Sequence, residues 1–342
     1  MLDINFIRDN PDKVKQGISA KGYDASLVDK VLELDKERKK IITLAQELSS
    51  KRNQISTEVV SEAIKVARGI TKDSLQPDVI KRAREIKEQR KKYKAEEEET
   101  EQEFKEALLK IPNLPLERVP EGDETKNEVI KPGKPPKFDF TPRDHVELGE
   151  ILDIIDIPRA VKVSGTRFGY LKNEGVLLEF ALVQFALETL VKEGFIPIVP
   201  PALIKKEITE GLGYWHGGGN ENYYFVRDYE MEGDKKGKPL DLYLVGTGEH
   251  SVAPMYSDEV LSAKELPKRY VAFSPCFRRE AGSYGKDVKG ILRVHQFDKV
   301  EMVAFVKPED DEQERRKLLG LAEGMMKSLG LPYQTVKLAS GD

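Results

Sequence analysis

The N-terminal part of the chain carries apolar residues at alternating spacings of three and four. Val31, Leu34, Ile41, Ala45, Leu48, Ile55 and Val59 fall on one seam, and Arg38 and Arg52 fill the positions the seam skips. This is a heptad pattern. It predicts a helix from about Ser26 to about Arg68, roughly 60 Å long at 1.5 Å per residue. Gly69-Ile-Thr-Lys-Asp-Ser-Leu-Gln-Pro77 breaks the pattern. A second seam follows through Val79, Ala83, Ile86, Tyr93, Phe104, Ala107 and Ile111. Two long amphipathic helices joined by a short break fold back as an antiparallel hairpin. Ahead of them, Asn10-Pro11-Asp12 reads as a helix start with Asn as the cap, and Gly22 as a stop.

The pattern then changes. Ile111-Pro-Asn-Leu-Pro-Leu-Glu-Arg-Val-Pro-Glu-Gly122 and Lys131-Pro-Gly-Lys-Pro-Pro136 are too rich in proline for a helix. Residues 111–140 therefore read as a linker between a helical arm, 1–110, and a core domain, 141–342. Thr141-Pro142-Arg-Asp144 is a second helix start. Leu177 to Glu193 is an apolar helix that Gly194 ends. Phe195-Ile-Pro-Ile-Val-Pro-Pro201 is a strand stopped by prolines, and Leu240 to Glu249 is another, ending in Thr247-Gly248-Glu249. Tyr270 to Phe277 and Arg293 to Phe305 read as a pair of strands around a loop containing Gly282, Gly285 and Gly290. The predicted class is α+β: a long helical hairpin, then an antiparallel sheet flanked by helices.

Composition narrows the function. The 342 residues are 39% hydrophobic and 34% charged with a net charge of −4, so no global basic field points to nucleic acid. Local patches differ. Lys81, Arg82, Arg84, Arg90, Lys91 and Lys92 put positive charge on the outer half of the second long helix, and Glu96 to Glu99 put negative charge nearer its base. A basic tip fits a phosphate backbone; it also fits a solvated face, and the heptads by themselves fit a spacer or a dimerising coiled coil. The single cysteine, Cys276, excludes an internal disulfide framework. The four histidines, His145, His216, His250 and His295, show no metal-ligand spacing. With no apolar span and no signal-peptide pattern, the expected location is the cytoplasm.

The candidate chemistry lies in the paired strands. Arg278 and Glu280 are two apart, so an extended strand would place guanidinium and carboxylate on one face. An arginine fork grips phosphate or carboxylate, a carboxylate accepts from an exocyclic amine, and Phe297 offers a face to a base. The loop Gly211 to Asn222 holds the only tryptophan, Trp215; it lacks the context of a P-loop and reads as a mobile lid.

Phe277-Arg-Arg-Glu280, then Gly-Ser-Tyr-Gly-Lys-Asp, then Arg293-Val-His-Gln-Phe-Asp-Lys-Val-Glu301 resembles motif 2 of the seryl-tRNA synthetases, which are class II aminoacyl-tRNA synthetases. Met-Leu-Asp-Ile-Asn-Phe-Ile-Arg-Asp-Asn-Pro11 resembles that family's start, and Gly194 to Pro201 its motif 1. The resemblance implies ATP-dependent activation of L-serine and its transfer to serine tRNA, with the selenocysteine tRNA left open as a second acceptor. It assigns Arg278 to catalysis. It assigns Thr247, Gly248, Glu249, Arg278 and Glu301 to serine, and Arg278, Arg279, Glu280, Val294 and Phe297 to ATP. The family usually reads Thr-Ala-Glu where this chain has Thr247-Gly248-Glu249, a departure expected to add backbone freedom. The resemblance gives the helical arm to tRNA and the motif 1 region to a homodimer. Motif 3, with its arginine and the acidic Mg²⁺ ligands, would lie beyond Asp342, so the chain reads as a shortened copy of the enzyme and no metal ligand is assigned. The alternative is a relative that kept the tRNA-binding arm and lost the activation chemistry.

Overall fold

Asn10 stands between two short helices, α1 (Ile4–Asp9) and α2 (Pro11–Ser19). It was expected to cap α2 through its side chain. Instead the Asn10 side-chain amide donates to the Phe6 carbonyl and closes α1, while Pro11, with no N–H to satisfy, begins α2. Gly22 stops α2 as expected: its φ of +80° suits glycine, and Tyr23 N–H donates to the Ile18 carbonyl across the turn.

The computed structural model describes residues 2–67, 77–213, 222–232, 235–280 and 289–341. Two compact units result, one of residues 1–128 with 337–342 and one of residues 129–336. The expected linker 111–140 is thus divided between the units at Glu128.

In the first unit, α3 (Ser26–Ala67) and α4 (Pro77–Leu109) form the hairpin. The proposed break, 69–77, falls outside the described residues except for Pro77, which begins α4. Val28, Val31 and Leu34 at the start of α3 pack with Phe104, Ala107, Leu108 and Ile111 at the end of α4, so the helices run antiparallel. Ile7, Val14 and Ile18 from the two short helices complete this core. Further out the seam narrows to Ile41, Leu48 and Ile55. Arg38 takes its skipped position by lying over the Phe104 ring, 4.5 Å from its centroid, and bonding Glu101 at 3.0 Å. Arg52 remains exposed.

The second unit alternates helices and strands. In order they are β1 (Glu128–Lys131), α5 (His145–Ile151), β2 (Ile155–Asp156), α6 (Ile157–Ser164), β3 (Tyr170–Leu171), α7 (Glu174–Lys192), β4 (Ile196–Ile198), β5 (Leu203–Lys205), α8 (Lys206–Gly211), β6 (Phe225–Glu232), β7 (Lys235–Leu244), α9 (Glu249–Val252), β8 (Lys268–Phe277), β9 (Gln296–Phe305), α10 (Asp311–Ser328) and β10 (Thr335–Lys337). Asp144, not Thr141, caps α5, accepting from the Val146 and Glu147 N–H groups. Two three-stranded sheets matter most, in orders β4-β8-β9 and β5-β7-β6. All their pairs are antiparallel except β4 with β8, which run parallel because the long segment 199–267 carries the chain back between them. Pro197 is tolerated in β4 because that strand lies at the edge of its sheet.

The β8–β9 register separates two faces. Val271 opposite Met302, and Phe273 opposite Val300, place one face on the helices, where Leu190 and Leu187 of α7 and Leu318, Leu321 and Met325 of α10 cover it. Ala272 opposite Glu301, Ser274 opposite Lys299, and Cys276 opposite Phe297 make the other face.

One charged pair anchors the first unit. Asp35, 3% exposed, accepts two hydrogen bonds from Arg8 at 2.8 and 2.7 Å. The Arg8 guanidinium holds the Asp35 carboxyl below the usual aspartate range, against the opposing effect of burial. Because the folded value is depressed, the pair stabilises the fold above the unfolded aspartate value, about 3.9, and the contribution is lost as pH falls below it. Asp35→Asn should therefore melt well below the wild type at pH 7, and the gap should narrow as the pH is lowered from the unfolded aspartate value through the depressed folded one. Melting curves whose separation did not change with pH would remove Asp35 as the cause.

Candidate active site

The site is built where three backbone segments meet. β7 ends at Leu244, and Val245 N–H donates to the Ala202 carbonyl while the Val245 carbonyl accepts from Phe277 N–H at 2.8 Å. This bond sets the loop Gly246-Thr247-Gly248 beside the end of β8. The turn that follows begins α9 at Glu249, whose N–H donates to Thr247 Oγ1. On the other side, Arg278 N–H donates to the His295 carbonyl, and the Arg278 carbonyl accepts from His295 Nδ1, both at 2.9 Å.

Asn222, Tyr223, Gly246, Thr247, His250, Arg278, Glu280 and Arg293 line a cavity of about 350 Å³. β8 stops at Phe277, one residue short of Arg278, and Glu280 has a φ of +52°. The expectation that Arg278 and Glu280 share a face of an extended strand is therefore wrong. The left-handed turn at Glu280 swings its carboxylate onto Arg293, whose Nε donates to Glu280 Oε2 at 2.5 Å. Arg278 uses its Nε on the Gly246 carbonyl at 3.0 Å and lies over the Phe297 ring, 5.3 Å from the centroid. Both residues still reach the same cavity.

Beneath Thr247 lies a second polar group. Thr247 is 4% exposed. Its hydroxyl donates to Glu301 Oε2 at 2.8 Å and accepts from Lys299 Nζ at 3.0 Å. Lys299 also pairs directly with the same Glu301 oxygen. Lys299 and Glu301 both point from the open face of β9, as residues two apart on a strand must. Gly248 sits against this face. A Cβ there would lie 3.3 Å from Ala272 Cβ, 3.4 Å from Ser274 Oγ and 3.6 Å from Glu301 Cβ. Its backbone, φ −59° and ψ −23°, is open to any residue. Space, not the backbone freedom expected from the sequence, is what glycine provides.

Burial sets the titration of the groups inside. His250 is 1% exposed, and its pKa is pushed down to about 4, first by burial and then by the charges of Arg278 and Lys299. It is neutral at physiological pH. Burial also pushes the Cys276 thiol up.

The sequence-derived residues thus fall into groups. Thr247, Arg278 and Glu280 line the cavity. Glu301 meets it through Thr247, and Phe297 through Arg278. Glu249, Arg279 and Val294 do not line it: Glu249 starts α9, Arg279 N–H donates to the Asn222 carbonyl, and Val294 lies between Arg293 and His295. Lys81, Arg82, Arg84, Lys91 and Lys92 are exposed and Arg90 half-buried, all on α4 in the first unit. Gly282, Gly285, Trp215 and most of the glycine loop lie outside the described residues. Sequence reasoning passed over His250, Tyr223, Asn222 and the role of Lys299. The lysine alone left a signal, since it shares the parity of Phe297 and Glu301.

Comparison with known proteins places this geometry. Residues 1–115 match the family described as seryl-tRNA synthetase N-terminal domain, and residues 229–342 match the tRNA synthetase class II core domain (G, H, P, S and T). The serine–tRNA ligases of Corynebacterium efficiens and Acidothermus cellulolyticus are 38% and 40% identical over 343 residues, covering 100% of this chain and 77% of each relative. A structure of seryl-tRNA synthetase from Pyrococcus horikoshii complexed with ATP superposes with a TM-score of 0.81 at 34% identity, covering 100% of this chain and 78% of that one. The cytoplasmic serine–tRNA ligase of Naegleria fowleri in complex with AMP gives a TM-score of 0.78 at 30% identity, covering 100% of this chain and 76% of that one. With relatives this similar along its whole length, the chain belongs to the seryl-tRNA synthetase family, the class II serine–tRNA ligases.

Proposed function

We propose that the cavity at the end of β8 binds ATP and L-serine and joins them as seryl-adenylate. The observation that carries this reading is the convergence of Arg278, the Glu280–Arg293 pair and the Thr247–Lys299–Glu301 group on one site. In the reaction a serine carboxylate oxygen attacks the α-phosphorus of ATP, the new O–P bond forms, the bond to the β-phosphate bridge breaks, and pyrophosphate leaves. A ribose hydroxyl at the tRNA terminus then attacks the seryl carbonyl, the ester bond forms, the carbonyl's bond to the phosphate oxygen breaks, and AMP leaves.

The residues contribute position and charge. Arg278 is fixed at Nε, and its terminal nitrogens carry no hydrogen bond among the described residues. They are suited to an α-phosphate oxygen and the attacking carboxylate together. Glu280, held by Arg293, accepts from the adenine amine, and Phe297 stacks on the adenine ring. Thr247 and Glu301 receive serine, whose hydroxyl and ammonium both need acceptors. A site built this way leaves its polar groups unpaired when alanine enters, which gives strong rejection. Arg279, Val294, Gly248 and Glu249 support these groups as backbone neighbours. Among the described residues no three histidine, thiol or carboxylate groups converge, and no step is assigned to Mg²⁺.

Serine-dependent ATP–pyrophosphate exchange tests the reading. Arg278→Ala should lower the exchange kcat by about 100-fold to 1000-fold, the usual cost of removing a donor aimed at developing charge. An exchange rate within a few-fold of wild type would take Arg278 out of the chemistry.

The arm is assigned to tRNA carrying serine identity. Its basic side chains on α4 support this. Replacing Arg84, Arg90 and Lys91 by Gln should weaken tRNA binding at least tenfold and flatten its salt dependence by roughly one unit of slope per lost phosphate contact. An unchanged salt slope would exclude these residues from the phosphate backbone.

Leu177, Leu178 and Phe180 of α7, with Ile196 of β4 and the nearby Val199, are each more than half exposed. This apolar surface supports a homodimer through the motif 1 region. Leu177→Glu with Phe180→Glu should then shift the sedimentation coefficient from dimer to monomer. A wild-type chain that sediments as a monomer at micromolar concentration would end that reading. No helix among the described residues is long and apolar enough to cross a membrane, and the cytoplasm is the proposed location.

A further inference from the structure

Among the described residues, His250 is the one buried titratable side chain of the cavity wall to which the adenylation scheme gives no task. Its backbone N–H donates to the Thr247 carbonyl at 3.1 Å, and the residue is almost fully enclosed. Its Nδ1 accepts a hydrogen bond from Gly246 N–H at 3.3 Å. That bond requires Nδ1 to be the unprotonated nitrogen, which places the ring proton on Nε2. The carbonyl of the same Gly246 accepts from Arg278 Nε at 3.0 Å. Gly246 therefore carries one hydrogen bond on each side of its Cα, to His250 through its N–H and to Arg278 through its carbonyl.

The residue between them has little room to move. A Cβ on Gly246 would lie 3.1 Å from Tyr223 Cε1, 3.5 Å from His250 Cε1 and 3.6 Å from Arg278 Cγ. The Tyr223 and His250 rings are 5.4 Å apart, so the tyrosine closes the histidine on its cavity side. A histidine that stays neutral suits this place: a charged ring would have no acceptor at Nδ1 and would face the charges of Arg278 and Lys299.

We propose that His250 is a positioning residue that fixes the Gly246 main chain so that its carbonyl aims the Arg278 guanidinium into the cavity. This rests on the assignment of Arg278 to the α-phosphate. Arginine is long, and its two remaining donors are useful only in one orientation. Nε is anchored at Gly246, the plane is set by the Phe297 ring, and His250 holds the anchor. The side chain acts through the Gly246 main chain.

Three substitutions separate this role from simple packing. His250→Asn keeps an acceptor on the atom bonded to Cγ, where Nδ1 now sits. His250→Gln moves its amide one bond further out. His250→Leu fills space with no acceptor. All three are checked by thermal melting. Two readouts need no ligand: hydrogen exchange of the Gly246 amide and of the Arg278 Nε–H, both followed by NMR. His250→Leu and His250→Gln should speed both exchanges by about tenfold or more, as expected when a buried hydrogen bond is lost, and His250→Asn should stay close to wild type. The third readout is the affinity of a non-hydrolysable seryl-adenylate analogue by calorimetry, which should fall by about tenfold in the Leu and Gln variants and recover in Asn. Faster exchange at Gly246 with unchanged exchange at Arg278 would overturn the relay. So would Gln matching Asn in all three measurements. A wild-type chain that fails to bind the analogue would overturn the adenylate reading instead, and the two exchange rates would still decide whether His250 positions Arg278.

Discussion

The site depends on the register of one antiparallel pair, β8 with β9. Ala272 faces Glu301, Ser274 faces Lys299 and Cys276 faces Phe297. That pairing puts small residues of β8 beside charged and aromatic residues of β9, on the face turned away from α7 and α10. A shift of one residue would turn Lys299 and Glu301 toward Leu190 and Met325 and expose Val300 and Met302. The hydrophobic contact of β8 and β9 with α7 and α10 therefore fixes where the acid and the lysine stand. Core packing on one face sets the chemistry of the other.

The polar groups of that face are held in pairs that restrict what a ligand can do. Glu280 is matched with Arg293, and Glu301 with Lys299. Each of these carboxylates has one oxygen fixed by the cation beside it. Removing one partner from such a group strands the other in a poorly solvated place, which costs more than the pair gains. Thr247 is committed further. It donates to Glu301 and accepts from Lys299 and from Glu249 N–H. Its hydroxyl proton is already used, so a serine hydroxyl approaching it meets a group oriented by protein, not a free rotor.

Much of this was legible because motifs on single elements survive translation into sequence. The heptad seam of α3 and α4 showed the hairpin, and the two apolar runs around the glycine loop showed the β8–β9 pair. What failed were inferences that needed the path of the backbone. Arg278 and Glu280 look like neighbours on a strand, but the strand ends at Phe277 and Glu280 turns left-handed to reach Arg293. His250 looked like a stray histidine because its partners, Gly246 and Arg278, are joined to it by a turn and by a strand from elsewhere in the chain. Asn10 shows the same limit locally: its position as a junction was readable, but not which helix its amide would serve.

Gly248 shows how a departure from a family pattern is explained by its neighbours. A glycine invites an account in terms of unusual dihedral angles, yet this one has helical angles that alanine would share. What alanine would not share is the space. Its methyl group would press on Ala272 and Ser274, which stand in the interior of β8 and are themselves fully buried. Those two cannot retreat without moving a strand whose other face is packed on α7 and α10. The contacts are only a few tenths of an ångström too short, so the cost of a methyl group is modest in energy but has a direction. A methyl group would bear on the Thr247 loop from the β8 side. In this chain the glycine lets that loop lie directly against the sheet, where the Thr247 hydroxyl reaches Glu301.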